Sequence, residues 1–122
     1  MTLELSQSFY FEAAHTLRRA VDAAGSLRVH GHTYLGEVAV VGPKDAASGM
    51  VVDLAQLRAV IERTKQRLDH HMLNEVEGLG VPTLENLCEF LWRSVAAEIP
   101  NVVRVRVSRA ASGDSCSLTQ AP

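Results

Sequence analysis

The sequence predicts an α+β domain, a four-stranded antiparallel sheet with two helices on one face. Three observations carry that prediction. Residues 3–12 place Leu3, Leu5, Phe9 and Phe11 at odd positions against mostly polar even ones, the period-2 pattern of a half-buried strand. The segments 53–68 and 83–99 carry apolar residues at helical spacing, as amphipathic helices do. Beyond them Val102-Val103-Arg104-Val105-Arg106-Val107 alternates again, so strands flank a helical pair.

The first strand ends near Ala13 in this reading. Residues 16–29 hold Arg18, Arg19, Asp22, Gly25, Ser26 and Arg28 without a sustained period and read as a long loop, a length at which loops often carry function. A second strand runs from about Val29 to Val41, and Gly42-Pro43-Lys44-Asp45 supplies turn chemistry. Asp53 and Gln56 stand at capping-box spacing, after which Leu54, Leu57, Ile61, Thr64 and Leu68 share one helical face. Arg58, Glu62, Arg63, Lys65 and Arg67 on the other side form a solvated surface. Thr83 is the expected N-cap of the second helix, with Leu84, Leu87, Cys88, Leu91, Val95 and Ile99 buried before Pro100 stops it. Ser115-Cys116-Ser117-Leu118, after Gly113, offers the fourth strand.

Composition sets the class. A chain of 122 residues with 47% hydrophobic residues fits one domain over 1–122 with a single core. Its 12 Lys+Arg against 14 Asp+Glu, a formal net charge of -2, leaves no basic footprint for nucleic acid. The longest apolar stretches, such as Val38-Ala39-Val40-Val41, fall far short of the roughly 20 residues a membrane span requires. Met1-Thr2-Leu3-Glu4 shows no charged region leading into an apolar segment. The expectation is a cytoplasmic protein with neither nucleic acid nor membrane as partner. Cys88 and Cys116 are far apart in the chain, which suggests neither a disulfide framework nor a thiolate zinc site.

The chemistry lies in the histidines. All five fall in three places: His15, the pair His30 and His32, and the adjacent His70 and His71. On an extended strand His30 and His32 project to the same face. If the strand bearing His15 lies beside them, a third imidazole completes a His₃ set, the zinc arrangement that keeps one position open for water or substrate. A His-x-His pair also arises by chance. Asp69-His70-His71 closes the first helix, where a carboxylate beside an imidazole can orient a general base. Histidine at a helix C-terminus is equally accounted for by the macrodipole.

These residues sit in a run of motifs. Phe11-Glu12-Ala13-Ala14-His15, His30-Gly31-His32-Thr33-Tyr34, Gly49-Met50-Val51-Val52-Asp53, Leu68-Asp69-His70-His71-Met72-Leu73-Asn74 and Pro82-Thr83-Leu84-Glu85-Asn86 resemble, in order, the signatures of the 6-pyruvoyltetrahydropterin synthase family. That family includes the bacterial 6-carboxytetrahydropterin synthases of the queuosine pathway. The resemblance covers about two-thirds of the chain, residues 11–86. It implies the tunnelling fold, in which subunits close their sheets into a shared barrel, and therefore a homo-oligomer, a trimer or dimer of trimers. It implies Zn²⁺ on His15, His30 and His32, a small pterin-like substrate such as 7,8-dihydroneopterin triphosphate, and proton transfer by Asp69 and His70. Thr83 and Glu85 fall in its substrate-binding motif.

Two positions depart from the family pattern. The proton-transfer cysteine is expected four residues before the His-x-His pair, where Ser26 stands. An unassisted hydroxyl is far less acidic than a thiol, so Ser26 is expected to hold a water or a substrate oxygen. The family's third strand ends in a glutamate that grips the pterin's amino and ring nitrogens, and here Val105-Arg106-Val107-Ser108 runs into Arg109. Arginine has five donors and no acceptor. If Val103, Val105 and Val107 share a face, Arg109 continues it into the ligand pocket. If the strand stops at Ser108, Arg109 swings into solvent. Asp114 is the nearby carboxylate that could stand in for the missing one.

Overall fold

The computed structural model describes residues 1–120. Strands β1 (Leu3–His15), β2 (His30–Gly42), β3 (Val102–Arg109) and β4 (Asp114–Thr119) form one antiparallel sheet in the order β1-β2-β3-β4. β1 outruns its expected end by two residues, to His15, because it stays paired with β2 along its whole length, from Leu3 opposite Gly42 to His15 opposite His30. Residues directly opposite in an antiparallel pair share a face. Phe9, Phe11, Ala13 and His15 therefore stand beside Gly36, Tyr34, His32 and His30. Helix α2 (Leu54–Leu68) packs on β1, and α3 (Leu84–Ala96) packs on β3 and β4, closing the core over this one face.

Local chemistry fixes these elements. The Asp53 carboxylate accepts from Ala55 N–H and starts α2, whose Leu57, Val60, Ile61, Thr64 and Leu68 are buried. Thr83 Oγ1 accepts from Asn86 N–H at 3.1 Å and starts α3. That helix ends at Ala96, short of the expected Ile99, which is buried in the turn before Pro100. Fully burying a leucine contributes about 1.5–3 kcal/mol, so Leu57, Leu68, Leu87 and Leu91, all at 0% exposure, dominate the sheet–helix seam. Phe11 stacks on Tyr34 with centroids 4.8 Å apart. At Gly36 a Cβ would lie 2.4 Å from Phe9 Cζ, so the Phe9 ring occupies the space a side chain would need.

Three features depart from the simple pattern. The stretch expected as loop contains a short helix α1 (Ala23–Leu27), entered through Asp22 in the left-handed region (φ 55°). A bulge interrupts the β2–β3 pairing. Val38 faces Val105 and Ala39 faces Arg104, but Val40 faces Val102, leaving Val103 as the extra residue. The expectation that Val103 shares the inner face is corrected accordingly, since Val102 takes the buried place and Val105, Val107 and Arg109 follow it. Finally, the chain leaving α2 docks on the outer edge of β1. Glu12 N–H donates to Asp69 Oδ1, His70 N–H to the Glu12 carbonyl, and Ala14 N–H to the His71 carbonyl. No helix among the described residues is long and apolar enough to cross a membrane.

Candidate metal centre and adjoining cavity

His15 ends β1 and His30 begins β2, so the ladder brings them together, and His32 follows on the same face two residues later. Their Nε2 atoms converge, with 2.9 Å between His15 and His30 and 3.1 Å between His15 and His32. The outer nitrogens of two rings are held by the backbone. His15 Nδ1 lies 3.1 Å from the Pro82 carbonyl and His30 Nδ1 lies 2.8 Å from the Arg28 carbonyl. A carbonyl only accepts, so Nδ1 carries the proton and Nε2 presents its lone pair inward, the arrangement of a metal-ligating imidazole. Among the described residues this triad groups three ligand atoms within 4.8 Å of one another, and it fits a divalent ion with nitrogen preference.

The electrostatics agree. Burial, followed by the charge of Arg109, pushes the His32 imidazole down to about 4. Burial also lowers His15, against the Pro82 carbonyl bond that raises it. Neutral imidazoles are the form a metal requires.

A cavity of about 280 Å³ opens beside the triad, lined by His15, Arg18, Arg19, Thr83, Glu85 and Arg109 among others. Arg109 is buried at the end of β3, with Nη1 3.4 Å from His32 Nε2 and Nη2 donating to Asp114 Oδ2 at 2.7 Å. Thr83 and Glu85 reach the cavity from the first turn of α3, and Thr83 is also the helix cap.

Other expected residues lie elsewhere. Ser26 is buried in the turn before β2, where its hydroxyl donates to the Ala23 carbonyl and accepts from Arg19 N–H. Both bonds hold the loop in shape. Asp69 and His70 lie near the β1 edge, where His70 borders a shallow depression shared with Glu12, Ala14, Gly31 and Thr33. His70 Nε2 is 3.7 Å from Asp69 Oδ2, and the side chain is 77% exposed. Its backbone sits in the left-handed region at φ 58°, a conformation uncommon outside glycine and worth about 1 kcal/mol or more of strain. The Pro82 and Arg28 carbonyls, and the Arg18–Arg19 pair at the cavity, had no sequence signal, because a carbonyl's role depends only on where the fold puts it.

Comparison with known proteins agrees with this architecture. The family model described as 6-pyruvoyl tetrahydropterin synthase matches residues 4–120. The 6-carboxy-5,6,7,8-tetrahydropterin synthase of Synechocystis sp. is 33% identical over 107 residues, covering 83% of this chain and 81% of that protein. The enzyme of the same name from Bacillus subtilis is 30% identical over 102 residues, covering 79% and 67%. The solved structure of Caenorhabditis elegans 6-pyruvoyl tetrahydropterin synthase superposes with a TM-score of 0.86 at 21% identity, covering 99% of this chain and 97% of that one, a likeness of fold. With its sheet, its helices and nearly its whole length matched, the chain belongs to the 6-pyruvoyl tetrahydropterin synthase family.

Proposed function

We infer that the protein is a zinc-dependent lyase acting on 7,8-dihydroneopterin triphosphate or a related pterin-like substrate, with the cytoplasm as its compartment. The observation that supports this most is the convergence of three imidazoles, two of them with tautomers fixed by carbonyls, beside a cavity that His15 lines. Zinc held there would be a Lewis acid with an open position for substrate oxygens, because three imidazoles donate no net charge to it.

The chain's own residues divide the remaining work. Thr83 and Glu85 bind substrate in the cavity. His70 is the general base, and Asp69 orients it. In one chain His70 lines the depression on the β1 edge together with His32, while His15 lines the cavity; the reading includes assembly into a trimer or dimer of trimers that brings a second subunit's pair to each metal. The β4 edge, the part of the β1 edge before Glu12, and the outward face that exposes Tyr10 are available for that contact. A second reading, a changed substrate or a purely ligand-binding role on the same scaffold, is favoured by one observation. Arg109, a donor without acceptors, occupies the cavity beside the triad.

Incubating zinc-loaded protein with 7,8-dihydroneopterin triphosphate separates the two. The lyase reading expects release of triphosphate and a new tetrahydropterin product, and stoichiometric zinc without turnover would favour the second reading.

A further inference from the structure

Among the described residues, Arg109 Nε is the buried side-chain polar atom left without a hydrogen-bond partner. The residue is 8% exposed. Asp114 takes Nη2, Nη1 faces His32 Nε2, and Nε is buried with no partner at all. A buried donor without an acceptor costs free energy that folded proteins rarely leave uncompensated. Arg18 and Arg19 line the same cavity, and Glu85 is the carboxylate among its lining residues. The lone pair of His32 Nε2 that Nη1 approaches is also the one a metal on the triad would take. A guanidinium and a divalent cation so close repel each other unless an anion lies between them.

The geometry points to a receptor for an oxyanion carried by the ligand, a carboxylate or a phosphate, with Arg109 as the specificity-determining residue and Arg18 and Arg19 adding positive charge at the rim. The inference rests on the cavity and deepens the reading above by naming the substrate class. The ligand presents anionic oxygen, and not a pair of N–H donors, to the end of β3. Asp114 competes for the same guanidinium through Nη2, so it sets how much of the fork is free.

Isothermal titration of the metal-free protein with sodium phosphate and with sodium acetate, each at an ionic strength matched by sodium chloride, tests this. At least one ion binds at one per chain, Arg109→Gln weakens that binding by about tenfold or more, as loss of a charge-assisted contact should, and Asp114→Asn tightens it. Binding of phosphate alone assigns the oxyanion to a phosphate, and binding of acetate alone to a carboxylate. No saturable binding of either ion to the wild type overturns the inference, as does an Arg109→Gln protein that binds equally well. If Arg109→Gln fails to fold, the half-exposed Asp114 variant decides, and unchanged affinity in Asp114→Asn overturns it. These probes contain neither pterin nor metal, so their result is independent of turnover of dihydroneopterin triphosphate.

Discussion

His15 and His30 are partners on the last rung of the β1–β2 ladder, and their Nε2 atoms lie 2.9 Å apart. With both Nδ1 protons committed to carbonyls, two lone pairs face each other. That is repulsive in a neutral pair. A cation between them relieves it, which ties the rung at the end of a sheet directly to ion binding.

Removing one imidazole should therefore remove the metal. His30→Ala is expected to lose stoichiometric zinc by elemental analysis, and wild-type protein should melt at lower temperature after chelation, since a ligand that binds only the folded state stabilises it. Full zinc occupancy in His30→Ala would sink the triad assignment.

The metal-free protein should lose stability in acid over a defined window. His32 is lowered from 6.5 to about 4 by burial and the nearby Arg109 charge. Below pH 6.5 the unfolded chain takes up a proton that the folded one refuses, so stability falls as pH drops from 6.5 towards 4 and is flat just above. Urea midpoints across that range check it, and His32→Asn should flatten the curve.

Activity and stability should separate at two positions. His70→Ala is expected to lower turnover by about 10²- to 10⁴-fold, the usual contribution of a positioned acid–base group, with little effect on melting because the side chain is exposed. Ser26→Ala should do the reverse. Its hydroxyl makes two loop bonds, so about 2 kcal/mol of stability is at stake while turnover per folded molecule changes little. Equal activity losses in the two variants would overturn the roles.

Light scattering at micromolar concentration is expected to give a trimer or hexamer mass. A monomer would remove the basis for a shared site.

Truncating the Thr83 cap should cost about 1 kcal/mol, the typical loss for a Thr→Ala N-cap. Thr83 Oγ1 accepts from Asn86 N–H, so Thr83→Ser should keep most of that stability in a denaturant titration, and Thr83→Ala should not.

Much of this was legible because it is periodic. Alternation at Phe9 and Phe11 and the helical spacing of Leu57, Ile61 and Leu68 are local statements about burial, and the fold honours them. The His-x-His pair was legible for the same reason, since strand geometry alone puts both rings on one face. What escaped the sequence was set by contacts distant in the chain. The carbonyl that fixes His15 comes from Pro82, 67 residues on. The five-residue helix α1 is too short to show a period, and its Ser26 has an interior hydroxyl only because Arg19 and Ala23 fold back upon it. The docking of Asp69 on Glu12 likewise has no local signature.

The bulge at Val103 makes position 109 a matter of phase. Val102 and Val105 both face inward only because one unpaired residue resets the parity between them. Deleting Val103 would leave Val102, Arg104 and Val105 opposite Val40, Ala39 and Val38 in unbroken alternation, so Arg104 and Arg106 would stay outside and Arg109 would still face the imidazoles. The inward place of Arg109 is thus set by its pairing count from Val105, and not by its distance along the chain from Val102. A relative carrying a one-residue insertion or deletion between α3 and Val105 needs its strand aligned by parity, not by count, before its residue at this place is compared with Arg109.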